Sequence, residues 1–339
     1  MAAAIAAPSA DNRPVFDLRA SGDTLSLFAS PELRAASVGH RVLGLISIGA
    51  AAENIVLRAA RLGVISNSGW QLNDWPNPCV AQLTCCEGDS AEDSLERAIP
   101  LRHSNRHLFF RGPVLSECLQ NKFSECADGI SGVQLAWLDT PTRRKRALEL
   151  IRWAETERFC NEELHGELFG SIRFDIGWSQ PSLMGLAPGS LGLAWFERGP
   201  FSLLRHWWLQ KLVNLLGAHH LIGLRAAGLP CRFAPHICAI TAVGGLEQAA
   251  FRAGRLLERI WLCSTNMSLS MQVFAASAVY AIHGGAPIAA GLQSRLEAGW
   301  RELCPGVTPY LVFRMGFARR PSVRSVRTAP ADSVEWIVP

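Results

Sequence analysis

The feature that most constrains this chain is a helix written twice. Residues 49–64 read GAAAENIVLRAARLGV and residues 254–269 read GRLLERIWLCSTNMSL. An ungapped alignment matches Gly49 with Gly254, Glu53 with Glu258, Ile55 with Ile260 and Leu57 with Leu262. Both segments are apolar around most of about four helical turns, a pattern that places a helix inside a fold rather than on it. Gly63 reads as the C-cap of the first copy, and Ser268 holds the matching place in the second. Two such helices predict two copies of one architectural unit, although two unrelated core helices could also share a few identities.

Strand-like runs accompany both copies. Pro14–Leu18 and Thr24–Phe28 bracket Ser21-Gly22-Asp23 and predict a hairpin. Val80–Thr84 follows the first helix as a short strand, His236–Val243 precedes the second, and Tyr310–Phe317 is a late apolar strand. Helices and strands mix without regular βαβ alternation, so the expected class is α+β. Residues 171–229 are rich in Gly, Pro, Trp and Leu. Within them Gln180–Gly192 reads as loop and Phe201–Leu216 (FSLLRHWWLQKLVNLL) as one helix, apolar around much of its circumference. Such a helix has to be covered by the fold, a partner or a ligand pocket.

Composition narrows the function classes. At 49% hydrophobic residues, 339 residues fill one large domain or two ordinary ones, and disorder is excluded. A net charge of +4 is small for this length, so no nucleic-acid partner is expected. The cations are nearly all arginine, with lysine only at 122, 145 and 211. The N-terminal MAAAIAAPSADNRP lacks a basic start and a long apolar run, so no export signal is expected. Residues 260–294 carry no Asp, Glu, Lys or Arg but include Ser264, Asn266, Gln272 and His283. That mixture fits a buried helix running into a core strand or loop, and no membrane partner is expected. Ten scattered cysteines then read as reduced, buried thiols of a cytoplasmic protein.

No GxGxxG, Walker loop, HExxH or GxSxG is present. Cys231, His236 and Cys238 resemble a fragment of a metal site without a clear fourth ligand, so no metal is expected. Arginine clusters carry more. Arg102-His103-Ser104-Asn105-Arg106 offers two guanidinium forks, an imidazole, a hydroxyl and backbone N–H groups, the inventory for a phosphate monoester. Arg319, Arg320, Arg324 and Arg327 follow the last strand. Either cluster alone reads first as a solvated basic face, whereas together they could clamp one dianion from two sides. Pro8-Ser9-Ala10-Asp11-Asn12 is a turn that either caps a helix or presents Ser and Asn hydrogen bonds to a planar heterocycle.

Together the RHSNR segment, the PSADN turn and the paired Gly-x-x-x-Glu helices resemble the nitroreductase superfamily of FMN-binding proteins. Their order is most similar to its fused two-half Acg-type subfamily. The resemblance implies an α+β nitroreductase-like fold in which two fused halves form a monomeric pseudo-dimer around central buried helices. A degenerate first half would span residues 1–95 and a second half 96–339, with a lid-like insertion at about 171–229. Arg102, Ser104 and Arg106, with His103 among them, would hold the FMN phosphate, completed by Arg324 or Arg327. Ser9 and Asn12 would approach the ring from the first half, and Phe274 and Ala275 would line it. A second PSxxN turn would fall at Ala127-Asp128-Gly129-Ile130-Ser131, which does not match, so one composite site is expected.

Two departures accompany the resemblance. The turn continues as Arg13-Pro14-Val15 where the family has Gln-Pro-Trp, and Val273–Ala276 replaces the family's polar Glu-Gly pair. The implied activity is hydride transfer from NAD(P)H through FMN to a small organic acceptor, with no side chain assigned as catalytic. The alternatives are a non-catalytic flavin-binding or sequestering protein, and a partner module of an adenylylating, ubiquitin-activating-like enzyme.

Overall fold

The computed structural model describes residues 1–13, 15–88, 94–327 and 334–336. Its strands are β1 Phe16–Ser21, β2 Thr24–Ala29, β3 Val64–Trp70, β4 Cys79–Glu87, β5 Val133–Trp137, β6 His236–Ala242, β7 Ser270–Val273, β8 Thr308–Gly316 and β9 Val334–Trp336. Its helices of eight or more residues are α1 Val38–Arg61, α2 Glu117–Ser124, α3 Pro141–Glu157, α4 Glu162–Gly170, α5 Trp195–Leu203, α6 Trp207–Asn214, α7 Leu246–Asn266 and α8 Ala290–Leu303. The class is α+β. The expected hairpin is present as β1 and β2, turning at Gly22 with φ +56°. Pro14, its expected start, lies outside the described residues.

The strands form two sheets. One runs β3-β4-β2-β1-β9 and the other β7-β8-β6-β5, so their first four places follow the same plan. In each sheet these four strands pair antiparallel, and the edge strand is the one that directly follows a long helix. β9 departs from the plan: it lies parallel to β1, carrying the end of the chain back to the first sheet. Gly63 (φ +71°) and Ser268 (φ +58°) both take the left-handed conformation between helix and edge strand. That conformation costs glycine nothing and serine a steric penalty.

The two repeated helices, α1 and α7, pack against each other at their glycines. A Cβ on Gly49 would lie 2.0 Å from the Phe251 carbonyl oxygen, and one on Gly254 2.0 Å from that of Ile46. Phe251 and Ile46 each stand three residues before the opposite glycine, so the crossing reads the same from either helix. Buried Glu53 pairs with Arg255, at 2.7 Å, and with Arg259. Buried Glu258 has Asn54 and Arg102 beside it. Asn54 and Arg259 occupy one place in the repeat and make parallel contacts. Asn54 donates to the Ala3 carbonyl (3.1 Å) and Arg259 to that of Asp128 (2.6 Å).

α1 covers β2 and β3, while α7 lies along β5 to β8. β6 is buried at every position and β8 from Pro309 to Gly316, so both faces of the second sheet's centre are covered. This is why both strands read as continuous apolar runs rather than alternating ones. Residues 260–294 form the end of α7, then β7, a short helix Ala276–Val279, a loop and the first residues of α8; the helix running into a core strand and loop is as their mixed polarity predicts. Among the described residues one helix, α1, is long and apolar enough to cross a membrane, and most of it is buried in the protein.

The insertion differs from its sequence reading. Phe201–Leu216 is two helices, α5 and α6, separated at Leu204–His206, where His206 is extended (φ −82°, ψ 111°). Phe201 stacks on Phe169 of α4 (5.1 Å), and Trp207 packs on His165 of the same helix (5.1 Å). Six residues turn an unbroken helix by about 240° beyond a full turn, so only a break lets both rings face α4. Phe159, Phe169, Ile172 and Leu186 form a small core of their own beneath this segment.

Candidate functional site

A cavity of about 870 Å³ opens between the N-terminal segment, the α1–α7 pair and the start of the short helix 276–279. Its wall includes Ser9 and Asn12 from the N-terminal turn. Asp11 and Asn12 both have positive φ (54° and 55°), which turns the Asn12 side chain inward. Asn12 donates from Nδ2 to the Ser182 and Leu183 carbonyls, both at 3.1 Å. That uses the amide expected to face a ligand. Its Oδ1, however, is buried without a hydrogen-bond partner among the described residues.

Arg102, His103, Ser104 and Arg106 lie on the same wall, placed there by the residue between them. Asn105 is fully buried and donates to Ser270 Oγ (2.9 Å) and the Arg319 carbonyl (2.8 Å), while its backbone N–H bonds the Met271 carbonyl (3.1 Å). The segment is thereby stapled to edge strand β7. Arg102 extends toward α7. Its Nε is 3.3 Å from Glu258 Oε1, its Nη2 donates to the Ala6 carbonyl (2.7 Å), and its guanidinium sits 4.6 Å above the Trp261 ring. Burial lowers the Arg102 pKa and raises that of Glu258, the usual penalty on charge removed from water.

Arg106 takes other neighbours: it donates to the Ser190 carbonyl (3.4 Å) and has Asp11 and Arg158 nearby. The two arginines read as one pair of forks therefore face different parts of the wall. The late cluster also divides. Arg324 and Arg327 line the cavity, while Arg319 and Arg320 are exposed and lie off it, Arg319 contributing only its carbonyl to Asn105. Arg327 donates to the Ala7 carbonyl (3.0 Å), and burial and the Arg102 charge push its pKa down to about 10. Burial holds His103 below its ordinary value against the hydrogen bond to the Leu101 carbonyl, and the Arg324, Arg102 and Arg320 charges push the same way as burial.

The remaining wall is apolar where Val273, Phe274, Ala275 and Ala276 pass from β7 into the short helix. All ten residues singled out from the sequence thus meet on one cavity. The sequence reading missed Trp261, Gln272, Glu155, Arg158 and Tyr280, which share the wall. Trp261 sits inside the repeat, and Gln272 in the strand just beyond it. Glu155 and Arg158, an i,i+3 ion pair at 3.3 Å, look in sequence like any surface pair. Of residues 171–229 the wall takes Leu186, Ser190, Leu191 and Ala226 and none of the tryptophans.

His236 is committed elsewhere. Its Nε2 accepts the Leu115 N–H (2.9 Å) and its Nδ1 lies 2.6 Å from Asp139 Oδ2, so both ring nitrogens are used. The cysteines are not all buried as expected: Cys231, Cys238, Cys263 and Cys304 are, but Cys86, Cys118 and Cys160 are exposed on strand-end, helix and turn surfaces. Burial pushes the Cys231 thiol up to about 12 and raises Cys238 as well. Neither thiol is a ready thiolate ligand. The described residues contain no group of three or more His, Cys, Asp or Glu suited to a metal ion.

No protein-family model matches the chain. An uncharacterized protein of Mycobacterium tuberculosis (strain CDC 1551 / Oshkosh) is 26% identical over 340 residues, covering 96% of this chain and 46% of that protein. The chain thus spans about half the length of the curated relative it matches. The crystal structure of the FMN-dependent nitroreductase NfnB from Mycobacterium smegmatis, in complex with NADPH, aligns at 17% identity and a TM-score of 0.42. That alignment covers 72% of this chain and 98% of the other. A nitroreductase of Bacteroides fragilis with bound FMN aligns at 10% identity and a TM-score of 0.41, over 73% of this chain and 100% of its own.

Proposed function

We propose that the cavity holds FMN and that the chain is an NAD(P)H-dependent flavin oxidoreductase acting on a small organic acceptor. One observation carries the reading: four separated stretches, 8–12, 102–106, 273–276 and 324–327, converge on one cavity that is cationic in one part and apolar in another. Its volume falls within the roughly 300–1,000 Å³ usual for small-molecule sites. The residues fit the group. Arg102, His103, Arg324 and Arg327 are electrostatic neighbours that suit a phosphate, and Ser104 adds a hydroxyl. Phe274 and Ala275 offer an apolar wall for a ring, and the buried Asn12 Oδ1 retains capacity to accept a hydrogen bond from it.

When bound, FMN supplies the hydride chemistry. The chain's own residues bind and orient. The Arg102–Glu258 pair and the Arg327–Ala7 bond fix two guanidiniums before any ligand arrives, so little side-chain ordering is left to binding. Val273 to Ala276 keep water from the ring side of the cavity.

The same reading assigns a degenerate first half to 1–95 and a second half to 96–339 with an insertion at 171–229, together a monomeric pseudo-dimer in the cytoplasm. The shared sheet plan and the reciprocal glycine crossing support it. A second reading, a module working with an adenylylating partner, is favoured by the length of the Mycobacterium tuberculosis relative, more than half of which lies outside the match. Bleaching of bound flavin by NAD(P)H separates turnover from sequestration.

Arg324 is the residue to test, because Arg102→Ala would leave Glu258 buried without its cation and endanger the fold. A charged hydrogen bond to phosphate is worth about 1.5–3 kcal/mol. Arg324→Ala should therefore weaken FMN binding, read by flavin fluorescence, by about tenfold or more. Undiminished affinity would remove the phosphate from this end of the cavity.

A further inference from the structure

Helix α6 is built inside out. Its inward side carries Gln210, with 0% exposure, whose amide donates to Asn214 Oδ1 (2.7 Å), and Asn214 in turn donates to the Phe159 carbonyl (2.6 Å). Its outward side carries Trp208, Lys211 and Leu212, and the turn that follows the helix continues the stripe with Leu215 and Leu216. Trp208 is 67% exposed, Leu215 80% and Leu216 90%. The neighbouring α5 repeats the arrangement. Phe201 and Leu204 face the small core, while Trp195 (81% exposed), Phe196 and Leu203 face out. Water is a poor solvent for such a surface, since single exposed apolar residues are ordinary but a contiguous patch of this size marks a contact.

Charge selects the occupant. From Trp195 to Leu229 the cations are Arg198, Arg205, Lys211 and Arg225, and the single acid is Glu197. Glu197 and Arg225 neutralise each other through two hydrogen bonds at 2.7 and 2.8 Å, leaving Arg198, Arg205 and Lys211 as the unbalanced charges of the segment. Arg205 and Lys211 are exposed, with Lys211 inside the apolar stripe, where its long stem can lie along leucine while its ammonium reaches outward. Two copies of this face would set like charges against each other. A surface that is apolar beneath and negative on top meets both demands.

We propose that α5 and α6 form a docking face for an anionic lipid bilayer, lying in the plane of its surface with the tryptophans at headgroup depth. The absence of a spanning helix in this segment is no objection, because a helix lying in the interface needs no spanning length. The inference is independent of the flavin reading, since none of these outward residues lines the cavity.

The test is co-sedimentation of the full chain with vesicles of phosphatidylcholine alone and of phosphatidylcholine with about one-third phosphatidylglycerol. Binding to the anionic vesicles should exceed that to the neutral ones and fall as salt is raised. The Leu212→Ser, Leu215→Ser, Leu216→Ser variant should lose binding by about tenfold or more. These three side chains face solvent, so the variant should keep the wild-type circular dichroism; if it does not fold, Lys211→Glu with Arg205→Glu tests the charge alone and should likewise lose binding. Equal sedimentation with and without anionic lipid would overturn the proposal. So would a folded variant that binds as wild type, or a concentration-dependent dimer that the leucine changes abolish, which would assign the face to a second copy.

Discussion

Gly49 and Gly254 hold α1 and α7 closer together than any side chain allows. A methyl group at either position meets a backbone carbonyl at 2.0 Å, and backbone cannot move aside as a flexible side chain can. Alanine normally strengthens a helix by up to about 1 kcal/mol over glycine. At Gly49 or Gly254 that gain should be outweighed, for a net loss of about 1–3 kcal/mol in urea denaturation. Gly166 in α4 has open space around its Cβ, so Gly166→Ala should stabilise by up to about 1 kcal/mol. If all three changes acted alike, the crossing would not be the tight contact described. The two glycines were legible as a match between distant segments, because close helix approach leaves so few residues to choose from. Asn105 was not legible in its actual role. Its partners, Ser270 and Arg319, lie more than 160 positions away, and nothing in RHSNR distinguishes the stapling residue from the lining ones.

Elements show where local pattern gives way to tertiary anchoring. No glycine or proline falls between Ala194 and the start of α6 except Gly199 and Pro200, both within α5, so the break at 204–206 carries no turn signal. It exists because His165 and Phe169 demand two rings at once. His165 also predicts how this element responds to acid. It is buried, with Nε2 2.8 Å from the Leu204 carbonyl, and burial lowers its pKa more than that bond raises it. Between the lowered folded value and about 6.5, the unfolded chain binds more protons, so stability rises with pH in that window. The stabilising difference is complete above about 6.5 and is lost as pH falls through the window. His103 acts in the same direction, so a variant isolates the contribution. His165→Gln should lose less stability than wild type between about pH 7.5 and 5 in chemical denaturation, and parallel curves would contradict this assignment. Arg314 was hidden for a related reason. Within the apolar run of β8 it is fully buried and donates to the Leu108 and Pro230 carbonyls (3.0 and 2.7 Å) and to that of His107, a role no periodicity reveals.

Across the whole molecule, the cavity depends on both repeats. The N-terminal turn comes from the side of α1, the Arg102–Ser104 wall hangs on the edge strand that follows α7, and Arg327 crosses back to the Ala7 carbonyl. β9 continues that return by joining the first sheet, which divides the expected second half between two sheets. The stretches themselves were legible as candidates, because the proposed phosphate and ring recognition would need few residue types. Their convergence was not, since it depends on strand order and on the α1–α7 crossing. The central claim is that this cavity holds a flavin that turns over. Its most direct test is the visible spectrum of the full chain, loaded with FMN, cleared of excess by gel filtration and then given NADPH without oxygen. Flavin bands that travel with the protein and bleach on NADPH addition are the predicted result. Colourless protein after gel filtration would contradict the cavity assignment, and bands that stay through NADPH would contradict the oxidoreductase.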